Sequence, residues 1–169
     1  MNAPCYIELF GGLCLRQADR PIVRFRTYKT AALLAYLAFH SGKPHSREVL
    51  ANLFWPEGED GRLSLRVAIG SLRRQLEPPG TPYGSVLIAS RSSVQLNSAA
   101  IRTDVSEFEA ALREAARAPT NERAWKLRNA VELYRGEAAT RLLRRVDCPS
   151  ARAPGKCLPG CPTPVRVAQ

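Results

Sequence analysis

The chain has 169 residues, with 25 Lys and Arg against 15 Asp and Glu, a formal net charge of +10. At 45% hydrophobic and 24% charged residues it falls among folded domains rather than disordered chains. The longest apolar stretch, Ala31–Phe39, is far short of the roughly 18–20 residues of a membrane span. The segment Cys5–Phe10 follows the start without the basic region of a secretory signal. No membrane partner is therefore expected, and the excess charge points to an anionic partner, nucleic acid first. A basic balance is common, so charge alone decides little. Its distribution says more. Residues 1–100 carry 12 basic and 7 acidic groups, residues 101–137 carry 7 of each, and residues 138–169 carry 6 and 1.

In chain order, Tyr6–Phe10 and Leu13–Arg16 read as two strands joined through Gly11-Gly12, which accept a tight turn. Pro21–Phe25 reads as a third strand. Thr27 is placed to cap a helix from about Tyr28 to His40, whose Leu33, Leu34 and Leu37 give a broad apolar face. Ser46 is placed to cap a second helix, with Val49, Leu50, Leu53 and Phe54 inward, stopped at Trp55-Pro56. A third helix is expected over about 62–77. Its Leu65, Ile69, Leu72 and Leu76 recur at spacings of 4, 3 and 4. Ser85–Ala89 and Ser93–Asn97 form a second hairpin around Ser90-Arg91-Ser92. Asp104 with Glu107 has the D-x-x-E spacing of a capping box. The helix that follows, to about Arg117, carries Val105, Phe108, Leu112 and Ala115 on one stripe. Another, from about Asn121 to Arg135, is expected to turn Ala124, Leu127, Val131 and Tyr134 inward, with Trp125 beside them and Gly136 as its C-cap.

Helices two and three are short and joined by a turn, as in a helix-turn-helix. With Leu65, Ile69, Leu72 and Leu76 buried, Arg62, Ser64, Arg66, Gly70, Ser71, Arg73 and Arg74 fall largely on the other face, with no acid before Glu77. Arginine can grip guanine through two hydrogen bonds, and serine can bond phosphate or base edges. A solvated basic face on an ordinary helix would look the same. The hairpin with Arg91 near its tip favours DNA, because it supplies a second contact to the backbone or minor groove.

Residues 6–97 resemble the OmpR/PhoB-type winged helix, and the pattern to about residue 137 resembles the N-terminal part of SARP-type regulators. The resemblance rests on Leu9-Phe10-Gly11-Gly12, Tyr28–Ala38, His45–Leu50, Leu53–Pro56, Ser64-Leu65-Arg66, Ser71–Leu76, Asp104–Phe108 and Leu133–Glu137, in this order. It implies an α+β winged helix-turn-helix over 1–100, with N-terminal strands, three helices and a hairpin wing. The first helices of a bacterial transcriptional activation domain, tetratricopeptide-like and incomplete, would follow over 101–137. It implies an activator that binds double-stranded promoter DNA as a dimer or in tandem on direct repeats, in the cytoplasm at the nucleoid. Helix 62–76 would enter the major groove, with Ser64, Arg66, Ser71, Arg73 and Arg74 at DNA-facing positions. Glu57, Glu59 and Asp60, in the loop before that helix, would face a sigma factor or the α subunit of RNA polymerase. Simple solubility would account for those acids equally well.

Residues 138–169 depart from the family pattern. They hold 5 of the 13 prolines and 3 of the 5 cysteines, and prolines at this density forbid a regular helix or central strand. The expectation is a disordered tail that is a truncated or out-of-frame end. Cys148, Cys157 and Cys161 have poor zinc spacing and no nearby histidine. Cys5 and Cys14 read as small buried hydrophobes. No cofactor or metal is expected. An enzyme is disfavoured, since the chain has no Walker loop, G-x-S-x-G or H-E-x-x-H. His40 and His45 flank a loop and read as helix-end residues. The rival is a protein-interaction module, in which the helices after 104 matter most.

Overall fold

The computed structural model describes residues 5–17, 20–56 and 60–134. Three strands open the chain: β1 (Cys5–Glu8), β2 (Cys14–Gln17) and β3 (Arg20–Ile22). The turn between β1 and β2 runs through Gly11 and Gly12, at φ +80° and +145°, where a side chain would be strained. The third strand is shorter than the expected Pro21–Phe25. Val23 beyond it is 64% exposed, while Phe25 turns back and packs partly on the core.

Helix α1 (Tyr28–Phe39) is the central element. Thr27 Oγ1 accepts the N–H of Thr30 at 3.1 Å, the expected cap. Ala32, Leu33, Leu34 and Ala35 are all fully buried, so the helix is covered on more than one side. Strand β4 (His45–Ser46) leads directly into α2 (Arg47–Phe54). Ser46 occupies the N-cap position but its side chain makes no capping bond. Leu50 and Phe54 point inward as expected. Val49 does not: it is 55% exposed, because it lies one residue round the helix from Leu50. Helix α3 (Gly61–Leu76) buries Leu65, Ile69, Leu72 and Leu76, each at 4% exposure or less, so the sequence periodicity gives the inward line correctly. Full burial of one such side chain stabilises by about 1.5–3 kcal/mol.

The wing pairs β5 (Leu87–Ala89) with β6 (Ser93–Leu96). It is a three-stranded sheet, in the order β4-β6-β5, because His45 and Ser46 pair with Val94 and Ser93. The alternation in the sequence marks only the hairpin. It also misses β7 (Ile101–Thr103), which pairs parallel with β1 and completes a four-stranded sheet, β3-β2-β1-β7. Leu87, Val94 and Leu96 from the wing, Ile7 and Leu15 from the other sheet and Leu9 just past β1 close one core around α1 and α3.

Helix α4 (Asp104–Arg117) is capped one residue earlier than expected. The capping box is Thr103 with Ser106, whose N–H bonds Thr103 Oγ1 at 3.0 Å. Asp104 has a longer-range role. Its carboxylate, in a residue 6% exposed, accepts the N–H of Leu9 at 2.8 and 2.9 Å and that of Phe10 at 2.7 Å. Those amides leave the strand, which is why β1 stops at Glu8. Tyr6 adds a second tie, its hydroxyl donating to Glu107 at 2.9 Å. Burial, then that acceptor, push the Tyr6 pKa well above the usual tyrosine range.

Helix α5 (Thr120–Leu133) packs chiefly on α4. The expected inward set is mostly outward. Ala124 is exposed, Leu127 is 38% exposed, Val131 63%, Trp125 52% and Tyr134 50%, and Ala130 is the buried residue. Among the described residues α4 covers only a narrow line of α5, and small Ala130 sits on that line. Tyr134 nevertheless meets Phe10 edge-on, at 5.0 Å between ring centres. Arg135, Gly136, Glu137 and the whole 138–169 tail with its three cysteines lie outside the described residues.

Candidate nucleic-acid interface

Helix α3 separates its residues sharply. Arg62, Arg66 and Arg74 are exposed, as expected for a DNA-facing set, and Ser64 is half-buried. Two other members of the predicted set sit elsewhere. Ser71 is only 7% exposed and lies on the core side of the helix. Arg73 lies at the edge, with a side chain 16% exposed, held by the loop that follows. Its Nη2 donates to the Leu87 carbonyl at 2.9 Å, its Nη1 bonds the Tyr83 hydroxyl, and its guanidinium lies 3.9 Å from the centre of the Tyr83 ring. The sequence places Arg73 outward by period alone. The returning loop converts it into a strut between helix and wing.

Glu77, the C-cap of α3, anchors the same loop. Its buried carboxylate accepts the N–H groups of Gly84 (3.0 Å), Val86 (3.0 Å) and Leu87 (2.9 Å), and Arg73 Nε stands 3.3 Å away. Burial opposes ionisation, but the three N–H groups and Arg73 outweigh it, so the Glu77 pKa is lowered. Sequence reading marks Glu77 only as the end of the basic face. Its partners arrive 7–10 residues later through a loop of no fixed period.

The wing tip is preorganised. Ser90 Oγ accepts the N–H groups of Ser92 (3.3 Å) and Ser93 (2.9 Å), and Arg91 between them is exposed. Arg47, at the start of α2, donates its Nε to the Ser90 carbonyl at 2.8 Å, while its backbone N–H bonds the Ser92 carbonyl at 2.9 Å. The wing tip and the start of α2 are thus held together, a tie absent from the sequence reading. Arg62 makes only a loose pair with Glu48 at 3.7 Å, both side chains being 70% exposed or more, and such a pair is worth little. Arg62 therefore remains available to another anion. Glu57 and Glu59 lie outside the described residues. Asp60 is exposed and is the N-cap residue of α3, without a side-chain capping bond.

The outermost line of α3 also includes residues of another kind. Leu63 is 55% exposed and Val67 40% exposed, one turn apart, next to Gly70 and Arg74. They stand opposite the Leu65–Ile69–Leu72–Leu76 stripe, so the same helical count could have marked them.

His40 and His45 pack on Tyr36, with ring centres 4.8 and 5.0 Å away and 5.5 Å from each other. Burial lowers the pKa of both, and Lys43 adds to this in each case. His45 Nε2 is buried without a hydrogen-bond partner. Among the described residues no three His, Cys, Asp or Glu side chains gather as a metal site. Cys5 and Cys14 are free, and burial pushes the Cys5 thiol up to about 12. No described helix is long and apolar enough to cross a membrane.

Comparison with known proteins gives a match over part of the chain and a shared fold. Residues 25–92, which span α1 to the wing tip, match the family model described as "Transcriptional regulatory protein, C terminal". Among curated protein sequences none matches. The structure is similar to that of Mycobacterium tuberculosis EmbR, solved in complex with a low-affinity phosphopeptide. The likeness has a TM-score of 0.72 at 22% identity and covers 85% of this chain. The chain spans about 40% of the length of that protein. Residues 25–92 are thus similar to the C-terminal domain of transcriptional regulatory proteins, and the described fold is shared with EmbR.

Proposed function

We propose that the protein activates transcription by laying α3 in the major groove of promoter DNA and the β5–β6 wing against the adjacent backbone or minor groove. One observation carries the reading: Arg62, Arg66 and Arg74 lie exposed on a helix with no acid between Gly61 and Leu76, and exposed Arg91 occupies the tip of a wing tied to that helix. Binding is by a dimer or by tandem copies on direct repeats, and Asp60 belongs to an acidic loop that meets a sigma factor or the α subunit of RNA polymerase. In this reading, residues 1–100 are the DNA-binding unit. Residues 101–137 begin an activation domain, with β7 joining it to the sheet of the first unit.

Titrating promoter and random duplexes against the protein by mobility shift tests the reading. With about 4–6 phosphate contacts per subunit, log K falls against log[salt] with a slope of about −4 to −5. Arg66→Ala weakens specific binding by about 1–3 kcal/mol if Arg66 reads a base. An equal loss on all duplexes assigns it to phosphate. The exposed apolar set Leu112, Trp125, Leu127 and Val131 on α4 and α5 favours a second reading, a protein-interaction module. Absence of any shift at low salt selects it.

A further inference from the structure

We propose that Leu63 and Val67 read thymine methyl groups, so that the preferred DNA site places two thymines beneath the N-terminal half of α3. The proposal rests on α3 being the recognition helix and extends that reading from charge to sequence. Leu63 and Val67 are the two large apolar side chains on the outer face of α3, 55% and 40% exposed. Single exposed apolar residues are ordinary on a surface. These two share one row at i and i+4, and the row continues into Gly70 and Arg74. A side chain added at Gly70 would meet nothing within 4 Å, so the surface beyond Val67 is open to close approach.

The surroundings of the pair select its partner. Arg62, Arg66 and Arg74 border it, and α3 carries no acid. An apolar strip inside a cationic rim complements a polyanion that offers apolar groups at its base edges. In the major groove of DNA only thymine presents such a group, its 5-methyl. In helix-turn-helix proteins the N-terminal residues of the recognition helix meet the base edges, and Leu63 and Val67 are the third and seventh residues of α3. Four residues rise about 6 Å along a helix. Successive bases on one strand are about 3.4 Å apart, so the two thymines lie within about two base steps of each other.

The test begins with selection of the preferred site from a randomised duplex pool by the full chain. Each thymine of that site is then replaced singly by deoxyuridine, which removes the methyl and nothing else. At two thymines the affinity is expected to fall about fourfold, the equivalent of one buried methylene. In Leu63→Ala one of these losses disappears, and in Val67→Ala the other. Both residues are exposed, and circular dichroism checks that the variants keep the fold. A selected site at which every deoxyuridine is neutral overturns the proposal and leaves DNA binding standing. The same holds if the losses persist in both variants. Unchanged DNA affinity in both variants assigns the pair to a protein contact and overturns it as well. Failure to enrich any site, with no shift at low salt, removes the DNA-binding reading itself.

Discussion

Glu77→Gln should separate the wing from the helix without changing the shape of either. In the native protein one carboxylate oxygen accepts from Val86 and Leu87 and the other from Gly84, with Arg73 Nε at 3.3 Å and the Glu77 side chain 2% exposed. Glutamine keeps one acceptor oxygen. Its amide nitrogen must then face either the Gly84 N–H together with Arg73, or the N–H groups of Val86 and Leu87, all of them donors. The lost charge-assisted bond costs about 1.5–3 kcal/mol. Breaking a buried ion pair costs up to about 3–5 kcal/mol, less here because Arg73 keeps the Leu87 carbonyl and Tyr83. A net loss of about 2–4 kcal/mol is expected, read as a lower urea midpoint in equilibrium unfolding. The acid limb should change too. The folded pKa of Glu77 is lowered, so its contribution is fully present above the ordinary carboxylate range near pH 4.5. That contribution is lost as pH falls through the folded value. Glu77→Gln should therefore flatten the stability profile below about pH 4.5 relative to wild type. A loss below about 0.5 kcal/mol, or an unchanged acid limb, would refute the assignment of Glu77 as the anchor of the wing.

Other expectations follow from the same geometry. Gly70→Ala should raise the thermal midpoint, since alanine gains up to about 1 kcal/mol in a helix interior and its Cβ meets nothing. The same substitution should weaken specific DNA binding, and unchanged binding would mean that no base edge approaches there. Asp104→Ala should cost about 2–4 kcal/mol, because the buried Leu9 amide and the half-buried Phe10 amide lose their acceptor. Denaturant titration followed by circular dichroism measures this loss. The lowered pKa values of His40 and His45 favour their neutral forms in the fold. Stability is then full above about pH 6.5 and declines as pH falls below it. Proton NMR of the two imidazoles should show both titrating below that value. Cys5 should resist alkylation by iodoacetamide at pH 8 in the native state and react after unfolding, since its thiol is buried and shifted up to about 12.

The parts legible in the sequence were those governed by local period or local chemistry. Leu65, Ile69, Leu72 and Leu76 repeat within one helix, and Thr27 caps its helix through an amide three residues away. The same count reached Arg62, Arg66 and Arg74. It failed at Ser71 and Arg73, which lie nearer the edge of the buried stripe, where packing rather than period decides what covers a side chain. In α5 the period was sound, but among the described residues it packs chiefly on α4, so an apolar stripe did not become an inward one. Long-range pairings were illegible for a different reason. Nothing near Asp104 announces that its acceptor oxygens meet amides 94 and 95 residues away. Nothing near His45 announces a strand partner in Val94.

The pairing of β7 with β1, locked by Asp104, also governs the order in which the molecule can form. The first strand is synthesised early, yet its inner edge stays unpaired until residues 101–104 emerge from the ribosome. Closing a loop of that length is slow compared with forming helices, and until then β1 exposes an edge open to mispairing. Once closed, the β1 edge and the start of α4 should open as one cooperative unit. The amides of Leu9 and Phe10 would then exchange their hydrogens at the rate of that shared opening rather than of a fraying terminus.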